Sequence, residues 1–466
     1  MTVEWWSIAP FVLLLACIAV LPLVRATERA WERNLVKLAV ALALGVPIAV
    51  WFLAAGSGIE VAHALVEYFQ FITLLFSLFV VSGGIFLSGD IRATPRNNTI
   101  FLAVGGVIAS FIGTTGAAML LIRPILNTNK ERAHRVHTVV FAIFIVANCG
   151  GLLTPLGDPP LFLGMLRGVP FTWTFSLWPQ WLFVGAMLLL TYYALDRRSY
   201  ARESADAIQL DNTERVRLGV RGGINLAFLV VIIIAVAVVP SVDLHAIEAG
   251  HATFAQWMPW REIAMGAAAG ASYFLGDKIA RFELNQFTWT PIREVAALFI
   301  GIFLTMIPAL NFLGQVAPDL PLNEVTLFIF SGGLSSVLDN APTYATFFEM
   351  AAQLPGDPRV AGVPEVLLTA ISLGAVMGGA MTYIGNGPNF MTKSVADSAG
   401  VKMPSFGGYV RWSVVYLAPV LTAMVLIFIA DGALWTIIGL VLTAVLIGRA
   451  VWSARPKKQR DRVTAP

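Results

Sequence analysis

Ala147-Asn148-Cys149-Gly150-Gly151-Leu152-Leu153-Thr154-Pro155-Leu156-Gly157-Asp158-Pro159-Pro160 opens as an apolar helix and then breaks, with an aspartate inside the break. Gly378-Gly379-Ala380-Met381-Thr382-Tyr383-Ile384-Gly385-Asn386-Gly387-Pro388-Asn389 repeats the phrase as Gly-Gly-x-x-Thr-x-x-Gly-(Asp/Asn)-x-Pro. Glycine weakens a helix, and proline removes a backbone donor and clashes with the preceding turn. The helix-breaking residues are Gly150, Gly151, Pro155, Gly157 and Pro160 in the first copy, and Gly378, Gly379, Gly385 and Pro388 in the second. An interrupted helix carrying polar groups, present in both halves of an apolar chain, points to the binding site of a secondary transporter.

The surrounding composition agrees. Of 466 residues, 57% are hydrophobic and 13% charged, against about 25% charged in soluble domains; mean hydropathy is +0.76. Uncharged runs of bilayer-spanning length recur from end to end, so the expected fold is an all-α polytopic membrane protein. A net charge of +3, with basic residues in loops beside spans, does not indicate a nucleic-acid partner. Two cysteines, Cys17 and Cys149, both in apolar runs, build neither a disulfide framework nor a zinc site. The first span lacks the basic leader and cleavage site of a signal peptide and reads as a retained helix.

Basic residues orient the spans. Trp5–Val24, Leu38–Ser57 and Tyr68–Gly89 read as three crossings, with Arg25, Arg29, Arg33 and Lys37 in a cytoplasmic first loop. The run 97–122 is flanked by Arg92 and Arg96 on one side and Arg123, Lys130, Arg132 and Arg135 on the other. A re-entrant hairpin turning near Gly113–Gly116 keeps both flanks in the cytoplasm, as backbone lining a protein cavity permits. The broken helix 138–166 then crosses outward, and Gly168–Leu195 returns to the polar linker 196–221.

In the second half, Gly222–Val242, Ile263–Gly276 and Val295–Pro318 read as crossings, followed by a hairpin (325–348) entered from outside. The broken helix 366–392, Trp412–Ala430 and Gly432–Gly448 lead to a basic tail (449–466). About eleven transmembrane helices plus two hairpins result, with the N-terminus outside and the C-terminus cytoplasmic. Domains are thus 1–195, the cytoplasmic linker 196–221, 222–448, and the tail. The opposed hairpins make the repeat inverted. Gly106 of a Gly105-Gly106 pair lies seven residues before Gly113-Thr114-Thr115-Gly116, and Gly332 of a Gly332-Gly333 pair lies seven before Asp339-Asn340-Ala341-Pro342.

On this map most of the 28 acidic residues fall in loops or at span ends, and Asp158 and Asp339 are the exceptions. An ionisable group at membrane depth is costly and marks function by default; the plainer reading is that each Asp caps a half-helix. Hard cations want oxygen ligands, and Thr114, Thr115, Thr154, Asp158, Asp339, Asn340, Thr382, Asn386 and Asn389 supply them. Sodium near Asp158 and Asp339, or protons, are the expected coupling ions, with no cofactor. Asn148 either joins them or hydrogen-bonds across helices, and Thr343 and Thr346 read as packing hydroxyls. Arg123 either meets an anionic substrate or snorkels to the interface. The five histidines fall in predicted loops, and tryptophans near span ends read as an aromatic belt. Gly266-x-x-x-Gly270 suggests close helix packing.

Gly113-Thr114-Thr115-Gly116-Ala117-Ala118-Met119-Leu120 resembles the Ser-Asn-Thr-type hairpin tip of the ion transporter superfamily, and Thr154-Pro155-Leu156-Gly157-Asp158-Pro159-Pro160 resembles its Gly-Thr-Pro-Pro-Asn break. Leu338-Asp339-Asn340-Ala341-Pro342 is similar to the second hairpin of NhaD-type sodium/proton antiporters, and the chain also resembles citrate (CitMHS-like) transporters. The resemblance implies a homodimer with a scaffold and an elevator-like transport domain, in a bacterial inner membrane. It places cation sites at Gly113–Gly116 with Thr154–Asp158, and at Asp339–Ala341 with Thr382–Asn386. The tips lack an intact Ser-Asn-Thr, a departure from the carboxylate carriers.

A sodium (cation)/proton antiporter working by alternating access is therefore the first expectation. A sodium- or proton-coupled symporter of citrate or another carboxylate is the alternative. An intramembrane aspartyl protease is a remote third, because Pro155 replaces the first glycine of its Gly-x-Gly-Asp motif. No Walker loop, haem motif or nucleophile elbow suggests an enzyme.

Overall fold

A computed structural model describes residues 3–22, 24, 26–213 and 216–455. Arg25, Arg215 and positions 456–466 of the expected basic tail lie outside the described residues. The protein is an all-α polytopic membrane protein with two small two-stranded ribbons. Among the described residues, Asn34–Ala54, Gly58–Ser82, Phe171–Tyr200, Thr290–Asp319, Phe406–Phe428 and Ala433–Ser453 are helical segments long and apolar enough to cross a membrane, with shorter apolar helices between them. The last of these leaves Leu434, Ile437, Val441 and Val445 exposed, as a lipid-facing helix can.

Helices Asn34–Ala54 and Thr290–Val316 cross closely. A Cβ on Gly301 would lie 2.7 Å from the Ala41 Cα, so only glycine allows this approach. Lys37, 4% exposed, pairs with Glu294 at 2.5 Å across the same crossing. Phe71 of helix Gly58–Ser82 stacks on Phe299 at 5.0 Å. These three helices form one packed unit.

Each half also contains a hairpin and a broken helix. Hairpin one has arms Pro95–Ile112 and Thr114–Thr128; broken helix one comprises Val136–Ile145, a 3-10 turn Cys149–Leu152 and Pro159–Leu166. Hairpin two has arms Glu324–Ser335 and Asn340–Ala352; broken helix two comprises Glu365–Gly378, a 3-10 turn Gly379–Met381 and Gly387–Ser398. Breaks and tips fall where glycine and proline punctuate the sequence, and the arms extend beyond the expected 97–122 and 325–348.

Three expectations need correction. The run Tyr68–Gly89 is not one span: its helix starts at Gly58 and stops at Ser82, and Phe86–Asp90 is a strand, β1. Its partner, the antiparallel strand β2 (Val216–Arg221), lies in the expected linker, so 196–221 is not a plain polar connection. The carbonyls freed where the helix ends accept from side-chain amides instead, Gly84 O from Asn225 Nδ2 at 2.9 Å and Gly83 O and Ile85 O from Asn285 Nδ2 at 3.0 and 2.7 Å. Third, not all histidines lie in loops: His63 and His137 are helical.

Candidate functional site

Both hairpins are fastened to their broken helices by the same chemistry. At the first tip Gly113 adopts φ +82°, a conformation that favours glycine, and the next residue's N–H donates to the Gly157 carbonyl at 2.8 Å. A Cβ on Gly157 would stand 2.0 Å from the Gly151 oxygen, and one on Gly150 2.6 Å from the Gly106 oxygen. In the second copy, a Cβ on Gly378 would stand 2.4 Å from the Gly332 Cα. Gly106 of hairpin one thus faces Gly150 of its own break, and Gly332 of hairpin two faces Gly378.

Two threonines close these junctions. Thr154 Oγ1 donates to the Ser110 carbonyl, and Thr382 Oγ1 donates to the Ser336 carbonyl. Each hydroxyl also accepts a backbone N–H two residues on, from Leu156 and Ile384, both at 3.2 Å. Ser110 Oγ adds a bond to the Gly150 carbonyl. Sequence reading did not single out these serines, although Ser110 stands four residues after Gly106 and Ser336 four after Gly332. Thr154 and Thr382 are therefore clamps, their hydroxyl protons engaged by the hairpins.

Asp158 is the point where all four elements meet. Thr114 Oγ1, from hairpin one, donates to Oδ1 at 2.9 Å; Asn340 Nδ2, from hairpin two, donates to Oδ2 at 2.5 Å. Asn386 Nδ2, from break two, lies 3.5 Å from Oδ1. Asp158 is 1% exposed and Asn340 fully buried, with Asn340 Oδ1 left without a hydrogen-bond partner. The ion pairs of the interior lie elsewhere, as in Arg132–Asp196 and Arg261–Glu262, and none involves Asp158 among the described residues.

The other candidates are placed differently. Asp339 does not share this centre through a hydrogen bond: it caps its own helix, Oδ1 accepting from Ala341 N at 3.2 Å. Asn389 bridges within break two, to the Gly379 and Thr382 carbonyls, and accepts from Asn148 Nδ2 at 2.7 Å. Asn148 Oδ1 in turn faces Asn386 Nδ2 at 3.3 Å, so Asn148 joins the two breaks. Thr343 and Thr346 donate to carbonyls of their own helix. Thr115 reaches no Asp158 oxygen; with Gly113, Thr114 and Asp158 it lines a cavity of about 90 Å³ bounded by Leu74, Leu78 and Ile292 of the packed unit.

Several buried ionisable groups were missed. Asp196 is fully buried and accepts from Arg132 Nη2 at 2.6 Å and Asn98 Nδ2 at 3.2 Å, with His137 Nε2 at 2.8 Å. This network ties the base of hairpin one to helix Trp178–Tyr200. Asp196 read as a span end because its partners are distant in sequence.

Chemically, the centre offers oxygen ligands and no fixed positive charge. The Asp158 carboxylate has hydrogen-bond donors but no countercharge among the described residues, and burying an ionised carboxylate without one is costly. The Thr114 oxygen and the unpaired Asn340 Oδ1 suit a hard cation.

Comparison with known proteins adds the context. Residues 1–429 match the model of a family described as "Putative citrate transport". An uncharacterized transporter of Mycobacterium tuberculosis is 26% identical over 344 residues, covering 70% of this chain and 75% of that protein. A 46 kDa membrane protein of Mycobacterium leprae is 25% identical over 340 residues, covering 69% and 74%.

Proposed function

Because the chain belongs to the "Putative citrate transport" family, we propose that it is a secondary transporter that exchanges a cation, sodium first, for protons at Asp158. One observation carries this reading: a buried carboxylate with no fixed countercharge, beside an amide oxygen with no partner. Proton and cation compete for the same oxygens, so one leaves when the other binds. Both hairpins and both breaks supply a ligand, so movement of either hairpin opens the site, as alternating access requires. The packed helices Asn34–Ala54, Gly58–Ser82 and Thr290–Val316 act as the scaffold against which the hairpin pairs move. An N-terminus outside the cell, the halves 1–195 and 222–448, a bacterial inner membrane and a homodimer belong to the same proposal.

The family description favours a second reading, cation-coupled uptake of citrate or a related carboxylate, in which Asp158 holds the coupling ion. Proton movement in proteoliposomes with a pH gradient separates the two, with sodium, lithium, potassium and citrate added in turn. Dissipation by sodium or lithium alone supports exchange. A response only to citrate selects symport, and silence toward every addition sinks both.

A further inference from the structure

A second cavity lies between the second arm of hairpin one, the helix after break two and the loop following the π-helical turn Ile279–Leu284. Its volume is about 50 Å³. A water needs roughly 10–15 Å³ of such space, so a few waters, or one carboxylate or phosphate group, would fit. Methionines 119 and 391 and neighbouring aliphatic side chains form apolar walls, and Arg123, Asn285 and Thr392 are the polar lining.

The polar groups are unevenly satisfied. Thr392 is 3% exposed, and its Oγ1 has no hydrogen-bond partner. A buried hydroxyl left unpaired is unfavourable, so a partner entering the cavity would relieve it. Arg123 has no carboxylate partner among the described residues; its Nη2 donates to Gln286 Oε1 at 3.1 Å, leaving further N–H groups on the guanidinium. Asn285 Nδ2 is committed to the Gly83 and Ile85 carbonyls, at 3.0 and 2.7 Å, which fixes the loop to the end of helix Gly58–Ser82. A cationic fork and a free hydroxyl between apolar walls complement an oxyanion and repel a cation.

We propose that this cavity binds a small oxyanion, a carboxylate or a phosphate, through the Arg123 guanidinium and the Thr392 hydroxyl. The site is separate from Asp158 and does not depend on what Asp158 carries. Its donors come from both repeats, Arg123 from hairpin one and Thr392 from broken helix two, so a bound anion joins them at one point. Of the two readings weighed for Arg123, contact with an anion is then the one that applies.

The test is thermal unfolding of the purified full-length protein in detergent, titrated with citrate, with inorganic phosphate and with sodium chloride at matched ionic strength. A ligand of the folded state raises the midpoint as its concentration exceeds the dissociation constant. Citrate or phosphate should give a rise that grows with the logarithm of concentration above the dissociation constant and that sodium chloride does not give, and the more effective one tells a carboxylate site from a phosphate site. Arg123→Gln should weaken apparent affinity about tenfold or more, and Thr392→Val about fivefold. Thr392→Val preserves shape, so it decides the matter if Arg123→Gln does not fold. Asp158→Asn should leave the titration unchanged, which keeps this site distinguishable from the transport reading. No rise above the salt control, or parental titrations in folded Thr392→Val protein, would overturn the proposal.

Discussion

Replacing Asp158 by asparagine should separate transport from stability. In the parent, the carboxylate accepts from Thr114 Oγ1 and Asn340 Nδ2, while Asn340 Oδ1 has no partner. Asparagine keeps one acceptor for Thr114 but turns a second donor toward Asn340. If the Asn340 amide rotates by half a turn, its idle Oδ1 accepts from that donor, and the hydrogen-bond count is preserved. Two bonds to a charged group become neutral ones, a loss of about 1 kcal/mol each. Against this, the variant no longer has to hold an ion in a dry site, a saving of comparable size or larger. The net effect should lie within about 2 kcal/mol of zero, a shift of no more than about 5 °C in the unfolding midpoint. Exchange should fall by at least about 100-fold, because no neutral amide trades a proton for a cation. Detergent unfolding and sodium-driven proton flux in proteoliposomes read the two quantities. Retention of half the parental flux would show that Asp158 is not the coupling ligand, and a midpoint collapse beyond about 10 °C would make it a structural cap.

Four further outcomes follow from the geometry. Gly157→Ala places a Cβ 2.0 Å from the Gly151 oxygen and should cost about 3 kcal/mol or more, whereas Gly333→Ala meets nothing within 4 Å and should stay within about 1 kcal/mol of the parent, both read as unfolding midpoints. Thr154→Val and Thr382→Val remove equivalent clamps and should each cost about 1 kcal/mol, with unequal costs arguing against a shared role. Asp196→Asn removes the nearer of the two carboxylates paired with the buried Arg132 guanidinium, leaving Glu203 at 3.6 Å, and should destabilise by about 2 kcal/mol, measured the same way. Asp277 is held below the usual carboxylate range by the Ala280 N–H and the Arg221 guanidinium. Its contribution is present above the ordinary carboxylate value and is lost as pH falls through the lowered one. Backbone exchange at Ile279 and Ala280, whose N–H groups donate to Asp277 Oδ1, corrected for intrinsic rates, should therefore rise at acid pH, and Asp277→Asn should abolish that rise.

Some of what the sequence left unread was present as a pattern. Val216-Arg217-Leu218-Gly219-Val220-Arg221 alternates with period two, a strand signal masked by its setting in a basic linker, and it pairs with Phe86–Asp90. His137 and Asp196 gave no comparable signal: each is unremarkable alone, and only their approach to 2.8 Å makes burial tolerable.

The sequence by itself determined the membrane class, the two hairpins and the two broken helices, because hydrophobic runs and glycine or proline breaks act over a few neighbouring residues. It also marked Asp158, Asp339 and Asn340 as candidates. It did not rank the two aspartates, which look equivalent as neighbours of glycine and proline. Tertiary structure decided that Asp158 receives groups from residues 114, 340 and 386, while Asp339 caps its own helix. The physical reason is that a helix break is fixed by local backbone energetics, whereas a buried charge depends on groups that only folding brings within hydrogen-bond distance.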